Sequence, residues 1–178
     1  MTYEIIISGF GGQGILAAGM LLAYAAVLED KYVSWLPSYG PEKRGGTSNC
    51  HVVISDEPVG SPFITNPRVA IVMSKPAFDK YEIAVSEGGI LLCDSLAVTE
   101  KPSRRDIQVV EIPATQMTAE MGIPKMANMV LIGKLLDKTK VLREDFIIEA
   151  LYEVLPQHKH NLIPDEIKTL KLGMNYGA

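Results

Sequence analysis

One feature near the start of the chain constrains the fold more than any other. A β-branched run, Glu4-Ile5-Ile6-Ile7-Ser8, meets the glycine-rich segment Gly9-Phe10-Gly11-Gly12-Gln13-Gly14, and an apolar stretch follows to Leu28. The first run reads as a buried strand, being short and bounded by glycine. After it, Ile15, Ala18, Gly19, Leu22, Ala25 and Ala26 recur at helical spacing, which predicts a helix from Gly14 to about Leu28 packed on a sheet. Strand, glycine turn and helix in this order open an α/β fold.

The glycines fit the G-x-G-x-x-G pattern in the strand-to-helix context that the pattern requires. Glycine lets the chain turn sharply and brings amide N–H groups to the positive end of the following helix, where an anion would sit. Gly9, Gly11, Gly12, Gln13 and Gly14 are therefore candidate anion or interface contacts, with the Gln13 amide in the first helical turn able to reach a ligand or a partner backbone. The same glycines would also serve a purely structural end, close packing of strand on helix, and the sequence leaves both open. A dinucleotide site needs an acid near the end of the second strand. That strand ends Trp35-Leu36-Pro37, and Glu29 and Asp30 fall in the turn before it, so NAD or FAD is disfavoured.

Further strands are expected at Tyr32–Leu36, Asn49–Ser55, Val69–Met73, Gly89–Cys93 and, at a sheet edge, Ile107–Ile112. Helices are expected over Lys75–Val85, Met126–Leu136, Arg143–Leu155 and Pro164–Met174. Between the second and third strands, Pro37 to Ser48 is rich in glycine, proline and polar residues and reads as a loop. This pattern predicts one three-layer, Rossmann-like α/β domain spanning residues 1–178, with a mostly parallel sheet and some antiparallel pairing in its middle. No repeat or long linker divides its 178 residues.

A net charge of −4 without a basic stripe argues against nucleic acid as a partner. The apolar runs are too short to span a membrane, and the N-terminal residues lack a signal-peptide pattern, which makes the cytoplasm the expected location. Cys50 and Cys93 lie far apart in apolar runs and read as buried free thiols. Two thiols fall short of the roughly four that an iron–sulfur cluster takes. No metal-ligand set or Ser/His/Asp grouping is apparent, so neither a metal site nor a catalytic side chain is assigned. His51, inside a strand pattern, reads as a hydrogen-bonded structural histidine. His158 and His160, flanking Lys159, read as solvated.

Taken together, the glycine segment and Pro37-Ser38-Tyr39-Gly40-Pro41-Glu42-Lys43-Arg44-Gly45-Gly46-Thr47 resemble the gamma subunits of 2-oxoacid:ferredoxin oxidoreductases. The similarity continues through Asn49-Cys50-His51-Val52-Val53-Ile54-Ser55-Asp56-Glu57-Pro58-Val59-Gly60-Ser61-Pro62, through Lys80-Tyr81-Glu82, and into the helical end. The resemblance implies an enzyme that decarboxylates a 2-oxoacid, 2-oxoglutarate in first place and 2-oxoisovalerate in second, on thiamine diphosphate. It would pass electrons through iron–sulfur clusters to ferredoxin and the acyl group to coenzyme A. The implied partners are alpha and beta subunits, which build the thiamine site, with a ferredoxin-like delta subunit as a further candidate. The gamma chain would be structural, packed near the coenzyme A side, and inactive alone. The small subunit of an indolepyruvate oxidoreductase and a free-standing nucleotide-binding sensor are the alternatives.

Both loops follow strands, which places them at the carboxyl edge of the sheet. Arg44 there can offer a bidentate fork to a carboxylate or phosphate, and Gly45 and Gly46 join it as candidate coenzyme A or interface contacts. Ligand or interface contact is the first reading of Arg44, and a salt bridge to Glu42 or another local acid the alternative. Trp35 is read first as core, with an interface role for it and Tyr39 as the alternative. Met117, Met121, Met126 and Met129 are likewise read first as core filling, with a partner face as the alternative.

Overall fold

A computed structural model describes residues 1–39 and 46–177. The elements run β1 (Thr2–Phe10), α1 (Ile15–Leu28), β2 (Tyr32–Tyr39), β3 (Thr47–Ser55), β4 (Val69–Val72), α2 (Lys75–Tyr81), β5 (Ile90–Asp94), β6 (Gln108–Ile112), α3 (Ala114–Glu120), α4 (Ala127–Thr139), α5 (Glu144–Val154) and α6 (Ile163–Asn175). The strands form one six-stranded sheet in the order β2-β3-β1-β4-β5-β6. From β1 to β6 the neighbours are parallel, whereas β3 runs antiparallel to both β1 and β2. The expected α/β architecture and the edge position of the 107–112 strand are observed, whereas the antiparallel pairing expected in the middle lies at the β2-β3-β1 end of the sheet, where β3 returns between two parallel strands.

β1 is central because its isoleucines serve both faces. Ile5 and Ile7 enter a core shared with α1, α4, α5 and α6, whereas Ile6 points to the other face, against Val53, Ala70 and Phe78 of α2. All three are essentially inaccessible to water, and burying each contributes about 1.5–3 kcal/mol. The helical layers are unequal: four long or middling helices cover one face, and a single seven-residue helix with surrounding loops covers the other. Within the thick layer α4 and α6 cross at Gly133 and Gly173. A Cβ on Gly133 would overlap the Leu170 carbonyl oxygen, and one on Gly173 the Val130 carbonyl oxygen. The crossing is therefore backbone against backbone.

The segment expected as a loop from Pro37 to Ser48 is shorter than the sequence suggests. β2 continues to Tyr39 and β3 starts at Thr47, with Tyr39 paired to Ser48. Pro37 is tolerated because β2 is an edge strand, whose outward groups need no ladder partner. Lys75–Val85 is helical only to Tyr81, where Arg104 takes over the chain's free carbonyls, donating to those of Glu82 and Val85. The short polar helix α3 was not legible in the sequence. It is set by a distant group: Asp94, fully buried at the end of β5, accepts from the Thr115 hydroxyl and amide.

The thiols of Cys50 and Cys93 are buried and unpaired, and burial pushes both up to about 12. Met126 and Met129 are buried, and Met117 packs against the same core. Trp35 also packs on this core, its indole against Gly19. His160 departs from the solvated reading: it is half-buried, edge-on to the Tyr152 ring, with Nε2 at 2.9 Å from the Leu155 carbonyl.

Candidate functional site

The carboxyl ends of β1 and β4 flank the point where the chain diverges, toward β2 on one side and toward β5 and β6 on the other. Open α/β sheets take their ligands at such a point. Here it is occupied by the glycine segment. The Gln13 side chain folds back, its Oε1 accepting from the Phe10 amide at 2.7 Å and its Nε2 donating to the Met73 carbonyl at 2.9 Å. The Met73 amide in turn donates to the Ser8 carbonyl at 2.9 Å. Gln13 thus ties β1 to β4 and spends both ends of its amide within the chain.

The individual glycines do different things. Gly9 has no room for a side chain, since a Cβ would press on Gln13, on Ile15 and, at 3.1 Å, on Met73. Gly14 forms the N-cap of α1 in the left-handed region, φ 73°, and a Cβ there would stand 2.6 Å from Nδ2 of Asn128. That amide donates to the Gly14 carbonyl at 3.2 Å. Gly12 has φ +94° and nothing within 4 Å of its Cβ position; conformation alone requires glycine there. The Gly11 amide donates to the Gly46 carbonyl at 2.9 Å, so the glycine segment and the end of the second loop meet at one edge of the sheet. Arg44, Gly45 and Glu42 lie outside the described residues.

Helix α1 starts without a side-chain cap and without an acid in its first turn. Among the described residues, the amides of Gly12, Gly14, Ile15, Leu16 and Ala17 find no acceptor. Unsatisfied amides at a helix start carry a partial positive charge that suits an anion. Chemically, what this edge offers among the described residues is open amides that can bind and orient an anion. Asp94 is consumed in holding α3, Lys75 pairs with Asp79 at 2.7 Å, and Ser74 caps α2. Among the described residues no three of His, Cys, Asp and Glu stand together as metal ligands would.

Other sequence candidates lie away from this edge. His51 accepts the Ile64 amide at 3.0 Å on Nδ1, and its pKa is lowered by burial and by nearby Lys80. Glu29, at the far end of α1, accepts the Arg143 amide at 2.9 Å. Sequence reasoning missed Asn128. Its only signal is that it is a lone amide at the start of an otherwise apolar helical run.

The chain matches the family model for pyruvate ferredoxin/flavodoxin oxidoreductase over residues 4–176. It belongs to that family. This chain is similar to 2-oxoglutarate synthase subunit KorC of Methanocaldococcus jannaschii, 40% identical over 160 residues that cover 88% of this chain and 86% of that one. It is also similar to ketoisovalerate oxidoreductase subunit VorA of Methanothermobacter marburgensis, 42% identical over 130 residues, which are 73% of this chain and only 27% of that much longer one. Among solved structures, the gamma subunit of a keto/oxoacid ferredoxin oxidoreductase from Geobacter sulfurreducens superimposes with a TM-score of 0.81 at 31% identity, over 96% of this chain and 95% of that one. The chain is thus the gamma subunit of a 2-oxoacid:ferredoxin oxidoreductase, with the 2-oxoglutarate type favoured. For this gamma subunit, no helix among the described residues is long and apolar enough to cross a membrane.

Proposed function

We propose that this gamma subunit serves a cytoplasmic complex that oxidatively decarboxylates 2-oxoglutarate to its acyl-coenzyme A with reduction of ferredoxin. In this reading residues 1–178 form one domain, and the chain itself is a scaffold without turnover. The observation that carries the substrate is the end-to-end similarity to the 2-oxoglutarate synthase subunit, 88% of one chain against 86% of the other. Ketoisovalerate is the second reading, favoured by the higher identity over the shorter match to VorA. Thiamine diphosphate and the iron–sulfur clusters belong to alpha, beta and delta partners. This chain has two cysteines in all, both buried and unpaired, where a cluster takes about four thiolates.

Coenzyme A is the anion that suits the carboxyl edge. Its phosphates would meet the open amides of Gly12 and Gly14 at the start of α1, with Gly9, Gly11 and Gln13 fixing the turn and Arg44, Gly45 and Gly46 closing the site from the second loop. Purified complex carrying Arg44→Ala tests this. The coenzyme A KM should rise about tenfold, the loss of one charge-assisted hydrogen bond, with the 2-oxoacid KM unchanged. An unchanged coenzyme A KM removes Arg44 from the site. The same preparation assayed with both 2-oxoacids decides the substrate: 2-oxoglutarate should have the higher kcat/KM.

A further inference from the structure

Helix α1 contains no charged residue in its fourteen positions, Ile15 to Leu28. Its inner side explains only half of that. Ile15, Ala18, Gly19, Leu21, Leu22, Ala25 and Ala26 are buried against the sheet and α5. At 100° per residue, the remaining Leu16, Ala17, Met20, Ala23, Tyr24, Val27 and Leu28 fall on one continuous outer arc, about two-fifths of the circumference. Leu16, Met20, Ala23 and Val27 repeat at spacings of four, three and four, the seam by which one helix packs on another.

Ala17, Tyr24 and Val27 of this arc stand exposed, while Leu16, Met20, Ala23 and Leu28 are half-buried, Leu16 and Leu28 against the chain's own core. Tyr24 is 46% and Val27 59% exposed, and Tyr32, which opens β2 just after the helix, is 51% exposed. α5 lies along one flank of the arc, where Leu151, Val154 and Leu155 share a small cavity with Ala17, Ala18 and Leu21. A helix that is apolar on every side belongs in an interior, and an apolar patch without charges on a monomer surface marks an interaction site. The single tyrosine hydroxyl is the only polar side-chain atom on the arc.

From this geometry, and resting on the gamma-subunit reading, we infer that the outer arc of α1 is the seat of a larger subunit of the same complex, which lays an apolar helix or surface along it. A larger polypeptide, rather than a second copy, is the occupant because the homologous region of VorA is only 27% of one longer chain. In that protein the matching region is one part of a single chain nearly four times its length. A second copy joined through the neighbouring edge strand is disfavoured by Pro37, which removes a donor from β2. The fit is apolar and dry, so it is specified by side-chain packing and is insensitive to salt.

The test uses this chain co-expressed with the alpha and beta subunits of its complex, tagged on the gamma subunit, with Val27→Glu and Tyr24→Glu as variants. Phe63→Glu, at an apolar residue 71% exposed elsewhere, is the control. Both α1 variants should keep the circular dichroism spectrum and Tm of the isolated chain while recovering at least tenfold less of the larger subunits, at low and at high salt alike. The control should recover them in full. Normal recovery by the α1 variants, with the wild type also binding, overturns the docking face while leaving the function intact. Failure of the wild type to recover those subunits overturns the function itself. A wild-type chain that dimerises alone, and loses the dimer on Val27→Glu, overturns the choice of occupant.

Discussion

Two regions of this molecule use glycine for opposite ends. Where α4 crosses α6, Gly133 and Gly173 let two backbones touch, and the carbonyls of Leu170 and Val130 occupy the space a Cβ would need. In the loop after β1, Gly12 and Gly14 adopt positive φ and leave amides turned away from the chain's own described acceptors. The first region closes a core, and the second opens an edge. The comparison teaches that stability and binding are separable here, since the crossing contributes only packing while the loop sets where donors point.

Substitutions can break that contrast. Gly133→Ala or Gly173→Ala should have the largest effect, about 3 kcal/mol of lost stability, read by denaturant unfolding, because backbone cannot yield as a flexible side chain can. Gly14→Ala comes next at about 2 kcal/mol, the cost of a left-handed residue together with the push on Asn128. In a double-mutant cycle with Asn128→Ala, part of that cost should disappear. Gly12→Ala should cost about 1 kcal/mol from its φ alone. It should nevertheless raise the coenzyme A KM of the complex severalfold, whereas the crossing variants leave that KM unchanged wherever they still fold.

The smallest effect lies between the two regions. Glu166 of α6 lines the cavity that also touches Ala17, Ala18 and Asn128. Its Oε2 is sealed from water and finds no partner among the described residues, and burial, reinforced by Asp165, raises its pKa from 4.5 to about 7. The folded state therefore keeps the proton longer than the unfolded chain. Stability from this group is full below about pH 4.5 and falls as the pH rises toward 7. Glu166→Gln should flatten that decline and stabilise the chain at pH 8 by a few tenths to about 1 kcal/mol, discounted for the side chain's partial exposure. Thermal unfolding across pH 4.5–8 checks it.

How much of this could be read from the sequence follows the distance over which each feature is determined. β1, the glycine turn and α1 are legible because strand, turn and helix are written in adjacent residues. α4 is legible because its apolar period is long. The ends of β2 and β3 are not, since Pro37, Ser38, Thr47 and Ser48 carry loop chemistry and become strand only by pairing with each other across the sheet edge. α3 depends on Asp94, more than twenty residues upstream, and no local signal reveals it. In the candidate site the glycines were legible, whereas the bond by which Gln13 holds the Met73 carbonyl spans sixty positions and has no local signal. The bond from Asn128 to Gly14 spans 114 positions. The outer arc of α1 was in plain view as an uncharged run, and only the fold distinguishes its buried residues from its bare ones.

The central claim is that this chain completes a 2-oxoacid:ferredoxin oxidoreductase without performing its chemistry. The most direct measurement is 2-oxoglutarate-dependent ferredoxin reduction, in the presence of coenzyme A, by the isolated chain, by the complex assembled without it, and by the full complex. Activity is expected only from the full complex. Turnover by the isolated chain, or undiminished activity from the complex that lacks it, would contradict the account.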